Sequence, residues 1–247
     1  MKGIILAAGR GSRMGPLTEE KPKCLTRLLG RALLDWQIDA LRRAGVDEIA
    51  VVSGYRAEML QRDDLMVFTN ARWMETNMVS SLMTASAWLE KSECVVSYSD
   101  IVYTPEIVSK LVGARGDVLI TYDVDWRTLW ERRFADPLSD AETFSVDEMG
   151  QLNDIGRRAQ NYDEIRGQYM GLLKFTPTGW ERVAAYLHAR GAEAVDKMDM
   201  TTMLRGLIDD RIEVQTVPVK GGWLEVDSAA DLKVYTEEFL VERGLLN

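Results

Sequence analysis

Near the amino terminus, the stretch LAAGRGSRMGPLTEEKPK from Leu6 to Lys23 gathers residues suited to holding an anion. Gly9 and Gly11 permit positive φ angles and let backbone amides close on a negative group with no Cβ in the way. Arg13 offers a planar, permanently charged fork that matches phosphate oxygens. Lys23, fixed behind Pro22, adds a point charge on a flexible stem. A glycine pair at such a place serves equally well as a plain strand-to-helix turn with solvated arginines. The run is not a Walker A loop, since no G-K-[ST] ending follows. Met14 also stands where a full G-x-G-x-x-G would have glycine.

Charge separates these readings better than the motif does. The chain of 247 residues has a formal net charge of −9. Yet Lys2, Arg10, Arg13, Lys21, Lys23, Arg27 and Arg31 face only Glu19 and Glu20 in the first 31 residues, a net of +5 that leaves −14 for the remainder. A cationic spot on an acidic body suits a compact polyanion, because focusing works only where basic groups gather. An extended nucleic-acid surface is not favoured.

Other chemistries are poorly served. His188 is the single histidine, in what reads as a peripheral helix, so Ser-His-Asp and Cys-His mechanisms are set aside. Cys24 and Cys94 form neither a CxxC nor a zinc pattern and read as buried thiols. No apolar run approaches membrane-spanning length, and the amino terminus does not read as a signal peptide, so a cytoplasmic location is expected. Two aspartates at strand ends remain: Asp100 in VVSYSDIVY and Asp227 in GGWLEVDSAADL. Alone, Asp100 reads as a cap for the next turn. Glu225 would share a strand face with Asp227.

The elements that must position these groups follow from hydrophobic periodicity. Buried strands are predicted at Gly3–Ala7, Glu48–Val52, Met66–Thr69, Cys94–Tyr98, Asp117–Tyr122, Tyr169–Phe175 and Ile212–Val217. Helices are predicted at Leu33–Ala44, Met78–Leu89, Pro105–Val112, Trp180–Ala189, Thr201–Ile208 and Ala229–Glu242, the last capped by Ser228 with Asp231. Strands alternating with helices predict one α/β domain over 1–247, Rossmann-like, with a mostly parallel (mixed) central sheet and helices on both faces. Residues 123–165, polar and irregular, read as an inserted acceptor-binding arm over the cleft. Ligands of such sheets bind beyond the carboxyl ends of the strands, which sets the 8–13 loop, Asp100 and Asp227 along one rim.

The first stretch resembles the signature LAAGxGxRxxPLTxxxPK of the nucleotidyltransferases that activate sugar phosphates and related phosphate esters. The resemblance implies that Leu6, Ala7, Ala8, Gly9, Gly11, Ser12 and Arg13 bind the nucleotide, with Gly9, Gly11 and Arg13 around the β- and γ-phosphates. It further implies that Lys23 reaches the α-phosphate under attack, with Lys23 and Arg13 as the catalytic cations, and that Asp100 and Asp227 bind Mg2+. In NARWMETNMVSSLMTA no glycine-rich base segment is present, and the text resembles the T-N-x-x-S-L segment of bacterial phosphocholine cytidylyltransferases. That makes Thr76, Asn77, Ser80 and Ser81 candidates for cytosine and ribose, although a helix cap and polar helix face would use the same residues. CTP is favoured over UTP or dTTP.

For the acceptor, Trp126 and Trp130 would suit a cation, while Arg132 and Arg133 beside them would suit a carboxylate. Tyr169 and Glu225 complete the candidates, and the tryptophans would equally serve to pack the arm onto the sheet. The run WERRFADPLSDAETF with QYMGLLKF and MDMTTMLRGLI resembles cytidylyltransferases acting on phosphoglutamine and aminoalkylphosphonates. The expected activity is transfer of CMP from CTP to a small phosphorylated or phosphonate acceptor, with release of pyrophosphate, in surface-glycan, capsule or phosphonate synthesis. A homodimer is compatible with this. The alternatives are a sugar-1-phosphate nucleotidyltransferase using UTP or dTTP and a catalytically silent nucleotide sensor.

Overall fold

The apolar run behind the glycine loop forms the central strand, β1 (Lys2–Ala7), which pairs in parallel on both edges. Its side chains alternate between two cores. Ile5 and Ala7 join one, Ile4 and Leu6 the other, as expected of a strand buried on both faces. The computed structural model describes residues 1–246.

In chain order the principal elements are α1 (Leu33–Arg43), β2 (Glu48–Ser53), β3 (Met66–Thr69), α2 (Met78–Met83), α3 (Ser86–Leu89), β4 (Cys94–Tyr98), β5 (Ile101–Tyr103) and α4 (Pro105–Gly113). Then come β6 (Val118–Asp123), α5 (Trp126–Arg133), β7 (Glu142–Val146), β8 (Leu152–Arg158), β9 (Gln168–Phe175) and α6 (Pro177–Arg190). The chain continues through α7 (Ala192–Lys197), α8 (Met200–Asp209), β10 (Gln215–Val219), β11 (Trp223–Glu225), α9 (Ala229–Val234) and α10 (Glu237–Glu242). Seven strands build the main sheet in the order β10–β6–β9–β4–β1–β2–β3. Strand β9 runs against both β4 and β6, and the other pairs are parallel. Residues of α1, α4, α5 and α10 pack on one face and residues of α2, α3, α6 and α8 on the other. The protein is thus a single α/β domain with a mostly parallel sheet. Among the described residues no helix is long and apolar enough to cross a membrane.

Several boundaries differ from expectation. The helix expected over Met78–Leu89 breaks between α2 and α3, where the Thr84 hydroxyl donates to the Ser81 carbonyl at 2.7 Å and competes with the helical ladder. The terminal helix expected over Ala229–Glu242 is likewise two helices, α10 having its own cap where Thr236 accepts from the Phe239 amide. The expected cap of α9 is present as a full capping box between Ser228 and Asp231. The strand expected from Ile212 starts at Gln215, because the Ile212 amide still closes the turn after α8 on the Leu207 carbonyl. The 123–165 segment is not irregular. It carries α5 and the β7–β8 hairpin, with Phe144, Leu152 and Ile155 in the core.

One buried network secures the carboxyl-terminal end to the sheet. Arg243 donates to Asp123 Oδ2 at 2.7 Å and to Asp125 Oδ2 at 2.9 Å. The Trp223 indole and the Gly221 amide donate to the same Asp123 carboxylate, which is fully buried. Arg243→Met would leave that carboxylate without its cation, at a cost of about 3–5 kcal/mol. Scanning calorimetry should record a midpoint lowered by roughly 10 °C.

Candidate active site

Backbone geometry explains the glycine loop. Gly11 adopts φ +70°, and a Cβ there would lie 2.7 Å from the Cβ and Cδ of Lys23. The glycine therefore lets the lysine stem cross the loop at close range. Gly9 does not use a positive φ, contrary to expectation. Open space surrounds its Cβ position, so its value lies in clearance. The buried Thr18 hydroxyl donates to the Gly11 carbonyl at 2.9 Å, and the Tyr55 amide donates to Ala8 O at 2.9 Å. These bonds hold both flanks of the loop.

Lys23 is buried, with its ammonium 2.8 Å from Asp100 Oδ2 and 2.7 Å from Asp227 Oδ1. Burial works against this charge, but the two carboxylates outweigh it and raise the lysine pKa above its ordinary value. Arg13, largely exposed, pairs with Asp227 Oδ2. The expected grouping of loop cations with both distant aspartates is therefore present.

A short antiparallel ribbon, absent from the sequence reading, brings the aspartates together. Strands β5 and β11 pair Ile101 with Glu225 and Tyr103 with Trp223, and the Val226 amide donates to the Asp100 carbonyl at 2.8 Å. Gln37 on α1, fully buried, donates to the carbonyls of Tyr98 and Ile101 and so fixes the turn carrying Asp100. Asp100, Glu225 and Asp227 each place a carboxylate oxygen within 4.8 Å of the others. Asp100 Oδ1 is buried with no hydrogen-bond partner. An all-oxygen cluster with an unsatisfied acceptor fits a hard divalent cation.

Glu225 joins this cluster rather than a separate acceptor pocket. Burial pushes its carboxyl up, the Arg133 guanidinium opposes, and the Asp100 and Asp227 charges add to the upward shift. Cys24 and Cys94 are both buried, and burial pushes each thiol up to about 12, far from a reactive thiolate. His188 lies on α6, away from the carboxylates.

Beside the loop, Leu6, Ala8, Gly9, Trp73, Thr76, Asn77, Met78 and Ser81 line a cavity of about 120 Å³. Three of the four expected base contacts face it. The Thr76 and Ser81 hydroxyls accept from Asn70 Nδ2 at 2.9 and 3.0 Å, while Asn77 caps α2 through its side chain. Ser80 turns away and bonds Asp196 at 3.1 Å, since one residue step carries it about 100° around the helix from Ser81. There it lines a wider cavity of about 810 Å³ that holds none of the loop cations or clustered carboxylates. Asn70 and Trp73 went unnoticed in the sequence. Their signal, a buried amide and an aromatic just ahead of the Thr-Asn pair, shows only once the chain is folded.

The expected acceptor residues are mostly occupied elsewhere. Trp126 and Trp130 are buried and pack edge to face at 5.9 Å, with Trp130 also 6.2 Å from Trp223. They fasten the arm to the sheet and present no open aromatic face. Arg132 lies over Phe239 and donates to the Val234 carbonyl. Arg133 is buried between Glu225 and Asp231. Tyr169 stands edge to face against Tyr98, ring centroids 5.8 Å apart, its buried hydroxyl without a partner.

Comparison with known proteins agrees with this geometry. Residues 3–201 match the MobA-like NTP transferase domain family. The chain is 37% identical to CTP:phosphoglutamine cytidylyltransferase of Campylobacter jejuni, covering 96% of this chain and 100% of that protein. It is 25% identical to 2-aminoethylphosphonate cytidylyltransferase of Lancefieldella rimae, over 96% and 92% of the two chains. The inositol-1-phosphate CTP transferase of T. maritima has the same fold, with a TM-score of 0.78 at 19% identity over 98% of this chain and 94% of that one. The cation-bearing glycine loop, the paired aspartates and this similarity along nearly the whole chain together make the protein a member of the MobA-like NTP transferase family and a cytidylyltransferase.

Proposed function

We propose that the protein transfers CMP from CTP to a small acceptor bearing an ionised phosphate or phosphonate, of the phosphoglutamine or aminoalkylphosphonate type, with Mg2+ as the cofactor. The observation that carries this reading is the meeting of Lys23 with Asp100 and Asp227, groups 77 and 204 residues apart in sequence. The acceptor class rests on the whole-length similarity to enzymes named for such acceptors.

The chemistry asks little of proton transfer. An acceptor oxygen, already ionised at neutral pH, attacks the α-phosphorus, and the bond to the bridging oxygen of pyrophosphate breaks. No general base is needed, in keeping with a site that lacks histidine. Catalysis then lies in positioning and charge neutralisation. Amides of the Gly9–Ser12 loop and the Arg13 fork receive the outer phosphates. The Lys23 ammonium, on its flexible stem, moves from the carboxylates to the α-phosphate oxygens. Thr76, Asn77 and Ser81, with Trp73, receive the base and ribose. Asp100 and Asp227, with Glu225 beside them, would hold Mg2+, which supplies positive charge to the triphosphate oxygens when bound.

Pyrophosphate release measured with CTP, UTP, dTTP and ATP against phosphocholine, aminoethylphosphonate, phosphoglutamine and a hexose 1-phosphate tests the reading. Turnover should require CTP and one of the first three acceptors, vanish with chelator and return with Mg2+. Efficient turnover of UTP or dTTP with the hexose phosphate would overturn it. Lys23→Met and Asp100→Asn should each lower kcat by about 10²–10³, the usual effect of removing one preorganised charge. Near-wild-type turnover in either variant removes that residue from the mechanism. Gly11→Ala should add roughly 1–2 kcal/mol of backbone strain. It should also displace the Lys23 stem, so kcat falls by more than the change in melting temperature explains.

A further inference from the structure

Helix α5 reaches into the carboxylate cluster through one side chain at its carboxyl-terminal end. The Arg133 side chain is 2% exposed; its Nη1 donates to Glu225 Oε2 at 2.6 Å and its Nε to Asp231 Oδ1 at 3.0 Å. Its guanidinium also lies near the rings of Trp130 and Phe134, at 5.3 and 4.9 Å, so aromatic packing adds to the two ion pairs in fixing its place. Asp231 in turn accepts from the backbone amides of Asp227 and Ser228 through Oδ2, at 2.9 and 2.7 Å. Burial works against the Asp231 charge, yet Arg133 and these amides outweigh it and hold the carboxyl below its usual range. One fork therefore sets the Glu225 carboxylate directly and the Asp227 backbone through Asp231.

We propose that Arg133 is the positioning residue of the metal-binding carboxylates, aligning Glu225 and Asp227 with Asp100 from outside the cluster. The inference rests on the reading of that cluster as a divalent-cation site. The geometry needs a planar fork. A lysine ammonium is a single point charge that cannot reproduce two divergent, fixed N–H directions. Arg133 makes no direct contact with Asp100 or Asp227, and its partners within the ion-pair network are Glu225 and Asp231. It acts through other side chains and is not itself a catalytic residue.

The test is direct Mn2+ binding to the full chain, followed by the electron paramagnetic resonance of the free ion, for wild type, Arg133→Lys and Asp231→Asn. Arg133→Lys should bind Mn2+ roughly tenfold more weakly, as is usual when a ligand loses its supporting partner. Asp231→Asn keeps an oxygen for the Asp227 amide but loses the charge that pairs with Arg133, and should show a smaller loss. In turnover assays the Arg133→Lys variant should need more metal for half-maximal rate, with the KM for CTP at saturating metal little changed. A general loss of stability would not produce that split. Wild-type Mn2+ affinity in folded Arg133→Lys overturns the inference. Should that variant not fold, wild-type affinity in Asp231→Asn overturns it instead. Absence of Mn2+ binding to the wild-type chain would be a separate result, defeating the metal reading itself and this inference with it.

Discussion

Three carboxylates crowded within 4.8 Å repel one another, and a largely buried site gives them little water to spread that charge. Such a cluster persists only if cations are built in around it. Lys23 stands between Asp100 and Asp227, Arg13 reaches Asp227 from the solvent side, and Arg133 braces Glu225 from within the protein. Arg13 and Lys23 come from the amino-terminal loop and Arg133 from α5, more than a hundred residues later. The rest of the architecture meets the requirement that these parts arrive together.

The parallel sheet supplies the first part of that answer. Strands β1 and β4 lie side by side in parallel, so the loop after one and the turn after the other emerge on the same rim. The third contributor comes from the far end of the chain, and a sheet alone would not deliver it. The β5–β11 ribbon does so by pairing Ile101 directly with Glu225. Gln37 locks the near side of the ribbon, while Asp123 and Arg243 anchor the far side through Trp223 and Gly221. The ribbon that carries the clustered carboxylates is thus tied at both ends by buried polar groups with defined partners, the arrangement under which such groups confer position rather than cost.

Most of the main-sheet strands were legible because their apolar runs are continuous and bounded by turn residues. The meeting of the loop cations with Asp100 and Asp227 was legible because the loop and both aspartates fall at the carboxyl ends of predicted strands. The ribbon was not, because Ile101–Tyr103 and Trp223–Glu225 are three residues each, and their pairing depends on partners more than a hundred positions away. The arm misled for a related reason. Tryptophans and arginines in a polar stretch carry the same signature whether they face a ligand or one another. Local sequence does not reveal that Trp130 packs on Trp223 or that Arg133 meets Asp231. Ser80 illustrates the limit at a single position. It neighbours Ser81 in a helix, and roughly 100° of helical rotation separates a residue facing the cavity by the loop from one facing Asp196.

A site built from Lys23, Arg13 and three clustered carboxylates, as proposed for CMP transfer, depends on where its charges are. Histidine-based catalysis tolerates some movement, because a proton can be passed along a range of geometries or through water. Charge neutralisation of a phosphoryl group falls off with distance and is weakened when water enters. The residues that keep Asp100, Glu225 and Asp227 in register therefore belong to function as much as to stability, although they touch no reacting atom. Gln37, Asp123, Arg133, Asp231 and Arg243 form that set. Their buried hydrogen bonds hold three carboxylates and two loop cations together on one rim of an acidic body, and the small size of each contact does not measure its importance.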